Sequence, residues 1–424
     1  MRAACDKDWL DSTAWVEKTL DRHHSYRRQT LNLIASENVM SDDVARYFSL
    51  ELGYRYGNYT RLDVGDRTYT GNRHLIELER RALTDACRLF CAGAADLRAL
   101  SGHVAGSAAV MGLCEPDDLV LELDREAGGH RLTSKLCESR AIRLQVEAVP
   151  FDGSAYQVDV EATVHKIKQR RPRVVILGSS NYLFPTPLED IAAACSECGT
   201  TLVMDASHVL GLIAGGQFPQ PLDGGANLII GSTHKTFGGP QGGIILGRRP
   251  ADVEAMLPAL VPGLVTNHHL MRIPALIALF SEWRTYGCEY ARAMVAQAVA
   301  LAEALEARGV RVVRTPQGPT GSQTLLLKVP SAKEKVASLE ELGILTGAVS
   351  LPAEHGGEGI RLGVQELVRM GLQDDQIFEL ARLISDGLQE NVPAGIRDRV
   401  TQLSASFRDI HFCHSHESSR LHRS

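Results

Sequence analysis

Between about Arg88 and Leu246 the chain alternates short apolar runs with longer stretches in which apolar residues recur every three or four positions. The runs are LRALSG, DLVLEL, RLQVEAVPF, RVVILGSS, TLVMDAS, LIIGSTH and GGIILG. Most are consecutive Val, Ile and Leu with no wet face, the pattern of strands buried on both sides. Alternation with helical stretches predicts an α/β fold: a mostly parallel seven-stranded sheet covered by helices. In that architecture a ligand gathers at the carboxyl ends of the strands. The polar residues cluster just after those ends: Ser101-Gly102-His103, Gly129-His130, Ser179-Ser180, Asp205 through His208, and Ser232 through Lys235.

The flanks have a different texture. Residues 8 to 50 read as helical material ending in an extended LNLIASEN, with too little apolar surface for a core of its own, so residues 1–54 are expected to be an arm that packs on something else. From 273 to 309 the period is long and helical, which suits a linker helix and a boundary near 280. The large domain is then 55–280. A smaller α/β domain follows over 281–424, with RVVRTP, TLLLKV and GIRLG as strands and a helix from Asp374 to Leu388.

Length and composition agree with two packed domains: 424 residues, 44% hydrophobic. A net charge of −6 without long like-charged runs gives no footprint for nucleic acid or an anionic membrane. MRAACDKDWLDS carries charge where a signal peptide needs an apolar centre, and no run reaches spanning length, so the expected location is the cytoplasm. Nine cysteines without framework spacing read as reduced thiols. Cys195-Ser-Glu-Cys198 has C-x-x-C spacing but lies in a helical stretch without a second pair, so it reads as ordinary helix thiols. The terminal HFCHSHESSRLHRS is rich in metal-ligand types yet has no apolar periodicity to fix them, and a frayed end without metal is expected.

Candidate chemistry centres on Lys235, placed after a strand and before the glycine-rich GGPQGG. Such a lysine can be a surface turn, a phosphate contact or a residue that forms an imine with a carbonyl. Thirty residues earlier, TLVMDASHVLG sends Asp205 out of a buried strand, where a carboxylate needs a cation or strong donors. A protonated pyridinium nitrogen would serve, and so would a helix N-terminus. LRALSGHVAGSAAVMG reads as a strand, a Ser101-Gly102 turn and a helix start, which could bind a phosphate or simply be capped. In GIRLG, Arg361 could hold a carboxylate with two parallel hydrogen bonds or form a structural ion pair.

Taken together and in order, LIASEN, the Ser-Gly turn, GGH, MDASHVLG, STHKT with GGPQGG, and GIRLG resemble the serine hydroxymethyltransferases, fold-type I pyridoxal-phosphate enzymes, over nearly the whole chain. The resemblance implies that Lys235 forms an imine with pyridoxal phosphate and that Asp205 meets the ring nitrogen. It implies that His130 stacks on the ring, Ser180 and His208 contact its phenolic oxygen, and Ser101, Gly102, His103, Ser232 and His234 surround the cofactor. Tyr56 and Tyr69 would lie near phosphate and substrate, and Arg361 would bind the amino acid. The family's obligate homodimer, or a tetramer, would set Ser36 and Glu37 near the partner's substrate pocket.

Several positions depart from that pattern. Asn58 stands nearest the family's glutamate in YRYGNYTRLDVGDRTYTG, Arg125 and Arg131 replace leucines that grip folate, and a pterin-binding asparagine is missing near Val349. A flat heteroaromatic loses apolar contact against two flexible cations. Gln241 stands where the family usually has arginine, and PGLVTNHH replaces a glycine pair, leaving the Thr266 and Asn267 amides as substitutes. The expected reaction is therefore retro-aldol cleavage of a β-hydroxy amino acid with transfer of the glycyl unit to an acceptor aldehyde. Tetrahydrofolate is not expected as a partner. This resembles the L-threonine transaldolases of specialised metabolism; a folate-dependent hydroxymethyltransferase and a threonine or α-methylserine aldolase are the alternatives.

Overall fold

The computed structural model describes residues 2–414, with side chains from Ser12 onward. Seven strands form one sheet: β1 (Ala94–Asp96), β2 (Leu119–Glu122), β3 (Gln145–Ala148), β4 (Val174–Leu177), β5 (Thr201–Asp205), β6 (Leu228–Ser232) and β7 (Gly243–Gly247). Their order is β1-β7-β6-β5-β4-β2-β3, parallel except for β7, which runs against both its neighbours. Six of the predicted runs become these strands. The seventh, LRALSG, does not: the strand is the preceding Ala94–Asp96. There Asp96 turns its carboxylate to the Arg98 amide and guanidinium, which ends the regular ladder before Ser101.

Successive residues of each strand enter different cores, as the two-residue period requires. Val174, Ile176, Val203, Leu228, Ile230 and Ile245 pack with Ala105 and Ala109 of the helix Gly102–Leu113. Val175, Leu177, Leu202, Met204, Ile229 and Ile244 pack on the other face with Ile191 and Cys195 of the helix Glu189–Cys198 and with the long helix Arg272–Glu306. Each such side chain contributes about 1.5–3 kcal/mol on burial, which is what holds the strand ends in place.

The long helix spans about 50 Å at the usual rise. Residue 280, where the periodicity suggests a boundary, lies within it. Beyond it, β8 (Thr324–Leu327), β9 (Gly347–Ser350) and β10 (Glu358–Gly363) form an antiparallel sheet in the order β8-β10-β9. RVVRTP is not a strand; only Val312 bridges to Leu327.

The N-terminal helix Arg2–Arg27 leaves Trp15, Val16 and Leu20 exposed. The extended segment after it pairs Leu31–Asn32 in parallel with Ile344–Leu345 and buries Leu31 and Leu33. The terminal segment departs from expectation: residues 411–414 are ordered against the core rather than frayed. Phe412 stacks on Tyr290 with ring centres 5.1 Å apart, Arg369 donates to the Phe412 carbonyl, and His414 meets Ser281. A ring at position 412 supplied the anchor that periodicity could not reveal. The rest of the His-rich tail, 415–424, lies outside the described residues. Among the described residues no helix is long and apolar enough to cross a membrane.

Candidate active site

The site gathers at the carboxyl end of the sheet. Lys235 follows β6 in a tight turn: the Thr233 amide donates to Gly242, Gly239 returns a hydrogen bond to Thr233, and Gly238, with φ of +66°, lets the chain fold back to the Lys235 carbonyl. Asn38 donates to that same carbonyl at 2.9 Å. The amine lies 3.1 Å from His208 Nε2. Burial lowers the Lys235 pKa to about 8, assisted by Arg361 and opposed by Asp205. His208 is driven well below the ordinary imidazole value, by burial first and then by Lys235 and Arg361.

Asp205 ends β5 beside Gly178, where a Cβ would press on its side chain. One carboxylate oxygen accepts from the Ser207 amide at 2.9 Å, and among the described residues no cation lies within ion-pair distance. Arg361 on β10 is the complementary case. It donates to the Ser180 carbonyl at 2.8 Å and reaches Asn181 Oδ1 at 3.5 Å, while its buried Nε has no partner and no carboxylate faces it. Burial lowers its pKa, and the neighbouring Tyr156 hydroxyl opposes that shift.

The Ser101-Gly102 turn caps the helix Gly102–Leu113, with Ser101 Oγ accepting from the Val104 amide. A Cβ on Gly102 would overlap Ser232 Oγ, so the glycine admits β6 to the helix start. Ser232 in turn lies 3.4 Å from Ser207. The turn thus presents unpaired amides and three hydroxyls at a positive helix end.

His130 faces the same opening. Glu122, at the end of β2, accepts from the Thr133 and Ser134 amides and fixes the helix Leu132–Glu138. Lys135 Nζ on that helix lies 3.3 Å from His130 Nδ1, and His130 Nε2 lies 3.1 Å from His103 Nδ1. A lysine ammonium only donates, so His130 carries its proton on Nε2 and passes it toward His103. Burial, then Lys135, pushes His130 down to about 4, which keeps the ring neutral at physiological pH.

Not every expected residue joins this group. Tyr56 and Tyr69 are exposed and pack edge-to-face on each other at 4.8 Å, without a hydrogen bond to Lys235, Asp205 or Arg361. Glu37, which the resemblance sets at the partner's pocket, meets Arg27 and Asn32 of its own chain at 3.0 and 2.9 Å. The LIASEN segment lies against this chain's own lysine loop, through Asn38, and Gln365 donates to the Ile34 and Glu37 carbonyls. Its Ser36 is half-buried there. Arg131, where the family resemblance sets a folate-gripping leucine, pairs with Asp124 and Glu138. Asn38 and Ser207 lie within motifs legible in the sequence, but their contacts do not show there, and Asn181 was missed because a short polar residue in a loop carries no pattern of its own. His234, next to Lys235, has its buried Nδ1 without a hydrogen-bond partner.

A buried lysine with a lowered pKa, a carboxylate without a cation, a guanidinium without a carboxylate and an open helix start together suit one kind of molecule: an aromatic carbonyl with a ring nitrogen and a phosphate, joined to an amino acid. Fold and site define a pyridoxal-phosphate-dependent transferase of fold type I. Residues 11–384 match the serine hydroxymethyltransferase family model, and the chain belongs to that family. It is 38% identical over 412 residues to the serine hydroxymethyltransferase of Methanopyrus kandleri, covering 95% of each chain. It is 36% identical over 399 residues to that of Pyrobaculum neutrophilum, covering 92% of each. The crystal structure of the L-threonine transaldolase from Pseudomonas fluorescens, in its internal aldimine state, superposes with a TM-score of 0.89 at 27% identity, covering 97% of this chain and 96% of that one.

Proposed function

We propose that the enzyme cleaves the Cα–Cβ bond of a β-hydroxy amino acid, L-threonine or serine, and passes the glycyl unit to an acceptor aldehyde without folate. The observation that carries this reading is the pairing of Asp205 and Arg361. Both are charged, neither has an ion-pair partner among the described residues, and both act on the Lys235 amine. The cofactor half of the site is therefore equipped, while the positions where the family resemblance sets folate contacts hold Asn58, Arg125 and Arg131 instead. Similarity to an L-threonine transaldolase supports the same choice.

In this proposal pyridoxal phosphate, when bound, supplies an electrophilic carbonyl and a ring that withdraws electrons from the α-carbon. Lys235 is the nucleophile. With its pKa lowered by burial to about 8, far more of its amine is free near neutral pH than in an ordinary lysine. Asp205 holds a proton on the ring nitrogen, and His208 shares protons with the lysine across their 3.1 Å contact. His130, neutral and oriented by Lys135, offers a flat uncharged face. The Ser101-Gly102 amides, with Ser232 and His234, form the phosphate cup. Arg361 uses its unpaired Nε and one terminal nitrogen to hold the substrate carboxylate. By the family resemblance, Tyr56 and Tyr69 would take the hydroxyl proton.

The test is incubation with L-threonine and a panel of aldehydes, following acetaldehyde release and new amino acids by mass spectrometry. Threonine-dependent formation of a new β-hydroxy amino acid is expected. The second reading, hydroxymethyl transfer to tetrahydrofolate, is favoured by the names of the 36–38% identical relatives. Rapid glycine formation from serine only with tetrahydrofolate would establish it and overturn the first.

A further inference from the structure

Arg272, the first residue of the long helix, is a cation buried to 2% exposure whose role the reaction scheme leaves open. Its guanidinium donates to the Ala99 carbonyl at 2.9 Å, to Leu97 at 3.3 Å and to Gly243 at 3.2 Å. Its Nε is buried and has no partner. No carboxylate pairs with it among the described residues. The one acid whose field reaches it, Asp96, is occupied by Arg98. Carbonyls stabilise a guanidinium but do not neutralise it, so a full positive charge stands in the core without a counter-ion.

Its position says where the missing charge belongs. Ala99 lies two residues before Ser101, and Gly243 begins β7 and donates its amide to Ala99. A Cβ on Gly243 would overlap the Ser101 carbonyl, and one on Gly242 would overlap the Arg272 guanidinium itself. Gly242 and Gly243 thus stand between Arg272 on one side of the chain and the Ser101 carbonyl on the other, and Arg272 occupies space that only glycine at 242 leaves free. The field of Arg272 also reaches the His234 ring, next to Lys235 in the chain. The adjoining loop side chain, Gln241, is neutral.

We propose that Arg272 is the buried counter-cation of the cofactor phosphate, and that the Ser101-Gly102 cup owes its preference for a dianion to this charge. The inference rests on the phosphate cup described above but not on the acceptor or on folate. It predicts discrimination between pyridoxal phosphate and pyridoxal, which share the ring and the carbonyl and differ in the phosphate alone.

Cofactor-depleted enzyme should be titrated with each compound, reading covalent loading of Lys235 by absorbance. Arg272→Met should weaken pyridoxal phosphate by roughly 10- to 100-fold, the scale of a lost charge-assisted contact, and leave pyridoxal unchanged. Arg272→Lys should recover most of the loss. Equal weakening of both compounds would assign Arg272 a purely structural role and overturn the proposal, as would no change in either. Where Arg272→Met does not fold, Gly242→Ala displaces the guanidinium from the front and should show the same selective loss; unchanged affinities there would also overturn it. Failure of pyridoxal phosphate itself to load wild-type Lys235 would instead count against the lysine assignment, which keeps the two readings apart.

Discussion

A lysine becomes a nucleophile only when its ammonium is made costly, and Lys235 is buried beside a cation, Arg361, with one acid, Asp205, pulling the other way. In cofactor-depleted protein, the pH profile of amine labelling at Lys235 should have its midpoint near 8. Asp205→Asn removes the group that raises this pKa, so the midpoint should move lower. A midpoint in the ordinary lysine range, or an upward move in the variant, would show that burial does not control this amine. The lysine and the aspartate were legible in the sequence because each follows an unmistakable buried strand. Arg272 was not, since one cation at the start of an apolar helical stretch reads as a helix end until the carbonyls around it are known.

The helix Leu132–Glu138 depends on a strand for its cap. Arg131 at its start has φ of +54° and offers no capping side chain. Instead Glu122, buried at the end of β2, accepts two amides of the first turn at 2.8 and 2.9 Å and the Ser134 hydroxyl at 2.6 Å. A carboxylate at a positive helix end is well placed electrostatically. Glu122→Ala should therefore cost about 1–2 kcal/mol in chemical denaturation, the scale of a lost cap. A change below about 0.5 kcal/mol would show that packing alone fixes this helix. The strands themselves were predictable from runs of Val, Ile and Leu. The exception, LRALSG, was misplaced because Asp96 and Arg98 satisfy each other and the chain leaves the ladder early.

Across the whole molecule, two segments far apart in sequence, residues 31–38 and 411–414, pack on the core beside the site. Residues 31–38 run between β10, the lysine loop and the helix Gln365–Arg369, and Phe412 covers Tyr290 on the long helix. Where these pieces join, Glu366 accepts from Asn32 at 2.6 Å and lies 3.7 Å from Arg27. Burial outweighs both and raises the Glu366 pKa to about 7. A carboxyl with a folded pKa above its unfolded value of about 4.3 binds its proton more tightly in the fold. Its favourable contribution is complete below the unfolded value and is lost as pH rises through about 7. Glu366→Gln, which mimics the protonated state, should thus raise the thermal midpoint clearly at pH 8 and much less at pH 5. A lower midpoint at pH 8 would mean that the Arg27 attraction outweighs burial.

Much of the site was therefore written in the chain itself. Period-two burial and strand spacing determine the sheet, and the sheet determines that Ser101, His130, Ser180, Asp205, Ser232 and Lys235 emerge at one end, because parallel strands must present their carboxyl ends together. What only the tertiary structure decided is which charges remain unpaired there. That depends on contacts between residues distant in sequence: Arg361 against Ser180, Asn38 against Lys235, Arg272 against Ala99, and Glu37 against Arg27. Periodicity records which face a residue takes; the pairing of a buried charge is set by whatever the rest of the fold brings beside it.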